Sequence, residues 1–242
     1  MNRFFTNEPI TNNTVTLTDD AVHHIKNVIK LTEGEQIVLV KNKKELLCRI
    51  DKIEKNSIIV YVVEELDSDS EPPYEITLFQ GIAKGDKLDF IVEKAVEAGV
   101  TEIVPFKMHR SIAKIEGKDV AKKVERFQKI AKSAAQQCGR LVVPKVQEPK
   151  TPKQVDWDAF DLKLLCYEDE NKTTLKEVLK KNPLTKETKK IALVIGPEGG
   201  ISPEEVSFLT DAGFLSVSLG KRILRCETAG LYALANIQYE LD

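Results

Sequence analysis

The chain has 242 residues, 42% of them hydrophobic and 31% charged, with a formal net charge of -2 at pH 7. That length holds one large or two modest domains with a real core, and the composition excludes a disordered chain. No run of about 18 apolar residues occurs, and MNRFFTNEP lacks a long apolar stretch, so no membrane contact or export is predicted and a cytoplasmic protein is expected.

Residues 1 to about 66 read as short strands separated by turn signals: ITNNTVTL, EQIVLV, ELLCRIDKIE and NSIIVYVVEEL. Their alternation of apolar and polar residues suits a small half-buried β unit. One helix is predicted from about Asp19 to Lys30, where Val22, Ile25, Val28 and Ile29 recur at helical spacing. The acidic, Ser-rich stretch LDSDSEPPY (66–74) has the composition of an exposed connector. It divides the chain into a first domain over 1–70 and a second over 74–242.

Beyond the connector, strands and helices alternate. ITLFQGIA reads as a buried strand, KLDFIVEKAVEAG as an amphipathic helix and EIVPF as a strand, followed by a long helix from about Gly117 to Cys138. LVVPKV, LKLLCY, IALVIG and FLSVSLG supply four more strands, and a final helix covers about Glu227 to Tyr239. Such an order predicts an α/β domain with parallel strands, and ligands then bind beyond the carboxyl ends of those strands. The final helix is weakly polar, as expected of a helix covered on most sides, by a second subunit for example.

The four cysteines, Cys48, Cys138, Cys166 and Cys226, are far apart and form no CxxC pair. Neither they nor His23, His24 and His109 show metal-ligand spacing, so no metal is expected. Between Lys107 and Lys153 there are 13 Lys/Arg against four acids, on the long helix and its flanks. Two readings fit that surplus: a solvated face, or a surface that takes a phosphate backbone.

Two Gly-bearing loops end the chain. IALVIG opens into PEGGISPEE, where Ser202 is placed as a helix N-cap, Pro203 at the first helical position and Glu205 at the third, a capping box that sets the helix start. Gly196, Gly199 and Gly200 allow a sharp turn and a close backbone approach to a ligand, although an ordinary strand-to-helix turn has the same composition. There is no GxxxxGK[ST] and no GxGxxG, so a cofactor without a phosphate chain is favoured, S-adenosylmethionine being one. In KRILRCETAG, Arg222 and Arg225 stand beside the positive end of a helix, where they suit a nucleic-acid phosphate; a capped helix alone is the other reading. No Ser/His/Asp order or Cys/His pair is visible, so covalent hydrolysis has no machinery.

Taken together, RFF, IKNVIKLTEGE, KGDKLDFIVEKAVEAGVTEIVPF, RFQKIAKSAAQQCGRLVVP, LVIGPEGGISPEE and LGKRILRCETA are spread from Arg3 to Ala229, nearly the whole length of the chain. In that order they resemble the RsmE-type 16S ribosomal RNA uridine N3-methyltransferases of the SPOUT, or α/β-knot, superfamily. The resemblance implies an N-terminal PUA-like β-barrel that helps hold RNA and a C-terminal α/β-knot domain whose parallel sheet is threaded through a trefoil knot, a rare exception among folds. It implies S-adenosylmethionine as cofactor, 16S ribosomal RNA or the assembled small subunit as partner, and a homodimer formed through the C-terminal helix.

The cofactor pocket so implied uses Ile195, Gly196, Pro197, Glu198, Gly199 and Gly200 on the first loop. Ser218, Leu219, Gly220, Ile223 and Leu224 follow on the second, with Tyr167 and Glu168 as a third wall. Arg225 and Glu227 are the expected catalytic pair, the first stabilising charge on uracil and the second acting as base. Arg3, Lys26, Lys30, Arg110, Gln137, Arg140 and Arg222 are expected to face RNA. Where the family carries Arg, this chain has Lys30, a point charge in place of a bidentate donor. The alternatives are a non-catalytic RNA-binding assembly factor and a ribose 2'-O-methyltransferase of the same superfamily.

Overall fold

Period-two alternation in the first 66 residues produces one five-stranded sheet. In the computed structural model, which describes residues 1–182 and 190–241, its strands are β1 (Arg3–Phe5), β2 (Thr14–Leu17), β3 (Gln36–Lys41), β4 (Lys44–Ile53) and β5 (Ile58–Leu66). They lie in the order β1-β3-β4-β5-β2, antiparallel except where β1 meets β3. Asn42 and Lys43, at φ 51° and 62°, form the two-residue turn between β3 and β4, and paired positive φ values match the twist of the strands they join. Val15, Leu17, Ile37, Leu39, Cys48 and Ile58 fill the core of this unit.

The helix predicted over 19–30 is shorter and of two kinds. α1 (Asp19–His23) gives way to a π-helical turn over His24–Val28. The wider turn keeps Ile25 fully buried and carries Val28 out to 58% exposure, so the apolar spacing that suggested one continuous face is split.

The second sheet consists of β6 (Glu75–Gly81), β7 (Glu102–Phe106), β8 (Lys145–Val146), β9 (Leu162–Cys166), β10 (Lys190–Ile195) and β11 (Leu215–Val217), in the order β11-β9-β10-β6-β7-β8. Every pairing is parallel. α2 (Lys87–Glu97), α3 (Asp119–Cys138), α4 (Leu175–Lys181), α5 (Pro203–Asp211) and α6 (Cys226–Leu241) accompany it. Ile191, Ala192, Leu193 and Val194 are all fully buried, which explains why β10 reads as an unbroken apolar run rather than an alternating one. Trp157 meets Phe79, Phe106 and Phe214 edge-on in the core of this unit. Among the described residues no helix is long and apolar enough to cross a membrane.

Two details depart from the sequence reading. LVVPKV pairs only through Lys145 and Val146, since Pro144 has no N–H to give to a ladder. The chain also divides into Met1–Glu71 with Ala135–Val142 and Pro72–Ala134 with 143–242, so the end of α3 and the residues after it belong with the first unit. The cause is local: Glu71 binds Arg140, and Leu141 packs on Val38 and Val40.

Candidate active site

Parallel strands send the loops after β9, β10 and β11 to one edge of the sheet. The loop after β10 turns on a Gly200 N–H to Pro197 carbonyl hydrogen bond of 3.0 Å and ends where Ser202 caps α5. Gly200 has φ +72°, and a Cβ there would collide with the Glu168 carboxylate; one on Gly196 would stand 2.8 Å from Ile201 Cγ1. At Gly200 it is the left-handed backbone that favours glycine, and at Gly196 the close Ile201 side chain. The Glu205 carboxylate closes the capping box on the Ser202 N–H at 3.1 Å and also accepts from the His109 N–H at 2.8 Å, tying the loop before α3 to the start of α5.

The loop after β11 is held by the Ser218 N–H donating to the Thr173 carbonyl at 2.8 Å, and turns at Gly220, φ +111°. It ends at Arg225, whose carbonyl accepts from the N–H groups of Thr228 and Ala229, both at 2.8 Å, in the first turn of α6. After β9, the Tyr167 N–H donates to the Val217 carbonyl at 3.2 Å. The Tyr167 hydroxyl donates to Asp169 at 3.0 Å, and that bond, with burial and the Asp169 charge, raises its pKa.

These three loops enclose a cavity of about 450 Å³. Tyr167, Glu168, Ile195, Gly196, Pro197, Glu198, Gly200, Ser218, Leu219, Gly220, Ile223 and Leu224 line it, and Arg222 and Arg225 stand at its wall. Gly199 alone of the expected pocket residues does not. Its missing side chain makes room for Arg110 instead, whose carbonyl would lie 2.8 Å from a Cβ. Lys221, within the expected 218–224 stretch, lines the cavity too, as do Lys87, Cys166, Cys226 and Ala229, which sequence reasoning missed. Lys87 begins a helix more than a hundred residues away in the chain, so nothing in local pattern ties it to the loops.

The charges are interlocked. Lys87 Nζ lies 3.1 Å from Glu198 Oε1 and 3.4 Å from Glu227 Oε2; Cys226 Sγ donates to the same Glu227 oxygen at 3.2 Å. Glu198 Oε1 also accepts from the Lys84 N–H at 3.0 Å. Burial opposes ionisation of Glu227, but hydrogen bonds from its own N–H and from Cys226, together with the Lys87 charge, outweigh it and lower the pKa. Glu198 is lowered in the same way, burial being outweighed by the N–H groups of Lys84 and of Glu198 itself and by Lys87. Glu227 is thus ionised but a weak base. Burial, then the hydrogen bond to Glu227, pushes the Cys226 thiol up to about 12, which removes it as a nucleophile near neutral pH.

The residues expected to face RNA have mixed placements. Arg222 and Gln137 are exposed, as is Lys30, which sits at φ 55°. Arg110 is exposed and reaches the Gly199 carbonyl at 3.4 Å. Lys26 Nζ donates to the carbonyls of Glu54 and Lys55, at 2.9 and 3.1 Å, and Arg3 is ion-paired with Glu45. Arg140 requires correction: it is only 4% exposed, and its guanidinium grips Glu71 through Nε at 3.0 Å and Nη2 at 2.7 Å. Glu71 also accepts from the N–H groups of Leu141 and Val142. Such a buried bidentate pair is a structural clamp within the first unit, not a surface for phosphates.

Residues 70–238 match the family model of an RNA methyltransferase domain, and residues 17–63 that of an RNA methyltransferase PUA domain. The chain is 35% identical over 236 residues to ribosomal RNA small subunit methyltransferase E of Bacillus subtilis (strain 168), covering 95% of this chain and 91% of that one. It is 34% identical to the protein of the same name from Mesomycoplasma hyopneumoniae (strain 232), covering 97% of each. A crystal structure of ribosomal RNA small subunit methyltransferase E from Neisseria gonorrhoeae bound to S-adenosyl methionine is similar at a TM-score of 0.85, with 34% identity over 99% of this chain and 97% of that one.

Proposed function

This chain belongs to the ribosomal RNA small subunit methyltransferase E family, and from that premise we propose that it moves a methyl group from S-adenosylmethionine to N3 of a uridine in 16S ribosomal RNA. One observation carries the reading: two glycine loops and the end of β9 enclose a cavity of about 450 Å³ whose wall also bears Arg222 and Arg225. The residues present fit the cofactor. Gly196 and Gly200 leave a cradle that side chains would fill, and the carboxylates of Glu168 and Glu198 in the wall suit a sulfonium cation better than a phosphate chain.

Bound S-adenosylmethionine supplies an electrophilic methyl group. The chain's own part is to hold the uracil in line with it, to exclude water and to favour loss of the N3 proton. As N3 gains the methyl, its proton leaves, and the exposed Arg225 guanidinium stabilises the negative charge that develops on the ring. Glu227, ionised and held by Lys87 and Cys226, orients the N3–H and relays the proton to water. Its lowered pKa makes it a poor final resting place, so Arg225 carries the larger share of the effect.

Two copies pair through α6, whose Thr228, Tyr232, Ala235 and Tyr239 are exposed at helical spacing while Ala233, Leu234 and Ile237 are buried. The protein works in the cytoplasm on 16S ribosomal RNA or the assembled small subunit. Within the second unit Arg110 and Arg222 are the residues offered to RNA, and within the first Lys30 and Gln137, with Arg3 and Lys26 held by carboxylate and carbonyl partners.

The experiment is nucleoside mass spectrometry of small-subunit ribosomal RNA from cells with and without the gene, followed by remethylation with purified protein and S-adenosylmethionine. N3-methyluridine is expected to disappear and to return. A lost 2'-O-methyl nucleoside would replace this reading with ribose methylation, and unchanged RNA would replace it with a non-catalytic assembly factor.

A further inference from the structure

Lys87 occupies the first position of α2, where a cation meets the positive end of the helix and is disfavoured. Two carboxylates hold it there. Glu198 comes from the loop after β10 and Glu227 from the first turn of α6, so one ammonium in the cavity wall links the first glycine loop to the helix that follows the second. The segment that carries it is braced as well. The Lys84 N–H donates to Glu198 at 3.0 Å, and Gly81, at the end of β6, lies so close to Pro197 that a Cβ would collide with it.

We propose that Lys87 is a positioning residue for methyl transfer: it joins Glu198 to Glu227 and so sets the spacing of the two glycine loops around the cofactor. This rests on the cofactor reading above and adds a residue outside both loops. Both carboxylates lie within 3.4 Å of one nitrogen, so without the cation they repel each other and push the walls apart. The charged and titratable groups around them are Lys87 from α2, Glu198 from the loop after β10, and Cys226 and Glu227 from α6. Glu168, Lys221, Arg222 and Arg225 line the rest of the cavity.

The sign of the pH effect follows. Glu198 and Glu227 have lowered values, so their contribution is present above the ordinary carboxyl range and is lost as the pH falls through the folded-state values. The Lys87 value is raised, first by its hydrogen bond to Glu198, so its contribution is present below the ordinary lysine range and is lost as the pH rises through the folded value. Between these limits the wild-type cluster keeps its charges. In K87M the two carboxylates face each other without a cation, so one takes up a proton at a higher pH than in the wild type.

Calorimetric titration of the full chain with S-adenosylmethionine tests this. K87M is expected to bind about tenfold more weakly than wild type near pH 8, the size of two partly exposed ion pairs, with most of the deficit gone near pH 5.5. K87R is expected to hold wild-type affinity, and K87E, which sets a third carboxylate beside the other two, to bind more weakly than K87M near pH 8. Wild-type affinity in K87M, a deficit independent of pH, or K87E binding no more weakly than K87M would each overturn the proposal. If K87M loses its folded circular dichroism, K87Q replaces it: a loss near pH 8 that fades near pH 5.5 supports the proposal, and wild-type affinity or a loss independent of pH sinks it. Wild-type protein that binds no S-adenosylmethionine would instead overturn the cofactor reading itself.

Discussion

At the scale of single residues, one sequence motif separates into different roles. Arg225 is exposed at the cavity wall with its carbonyl committed to the first turn of α6, which leaves the guanidinium as the part proposed to meet substrate. Replacing it with alanine is expected to slow single-turnover methylation on the order of 10²-fold, as removal of one charge-stabilising donor does, with the affinity for S-adenosylmethionine unchanged. Equal loss of cofactor binding would move Arg225 from chemistry to the pocket. Two residues away, Glu227 is tied to Lys87 and Cys226, and no sequence pattern reports that tie. Arg140 teaches the converse. Its place at the end of a basic helix suggested RNA, but burial beside Glu71 makes it a clamp, because a guanidinium taken out of water needs a carboxylate more than a surface one does.

Among the elements, the clearest agreement is at α5. Ser202, Pro203 and Glu205 predicted its start, and the structure begins the helix at Pro203 with both capping-box hydrogen bonds formed. Ser202 is buried as well as capping, so S202A is expected to destabilise the second unit by about 1 kcal/mol, read as a lower urea midpoint with an unchanged slope. A change in slope would mean that the variant alters the unfolded ensemble rather than the cap. The helix over 19–30 was less legible. Apolar spacing cannot distinguish an α turn from a π turn, since both place Val22 and Ile25 inside, and only packing against the sheet decides where Val28 goes.

For the whole molecule, assembly is the property that a single chain leaves to surface chemistry. α6 packs one face inward through Ala233, Leu234 and Ile237, yet Tyr232 and Tyr239 stay 41% and 85% exposed on the other. Aromatic side chains in that number on one helix face suit a partner helix rather than water. Light scattering is expected to give the mass of two chains for wild type and of one chain for Y232D/Y239D. A monomeric wild type at micromolar concentration would remove α6 as an interface.

The sequence by itself determined the alternation of strands and helices, the glycine loops and the helix cap, because backbone sterics and burial period act over a few residues. Joined with the motif resemblance, it also determined the family. Tertiary structure alone decided which groups share a charge. Lys87 reaches Glu198 and Glu227, and Glu71 reaches Arg140, through pairings set by how strands and helices pack. Coulomb and desolvation energies depend on distance in space, which separation along the chain does not encode.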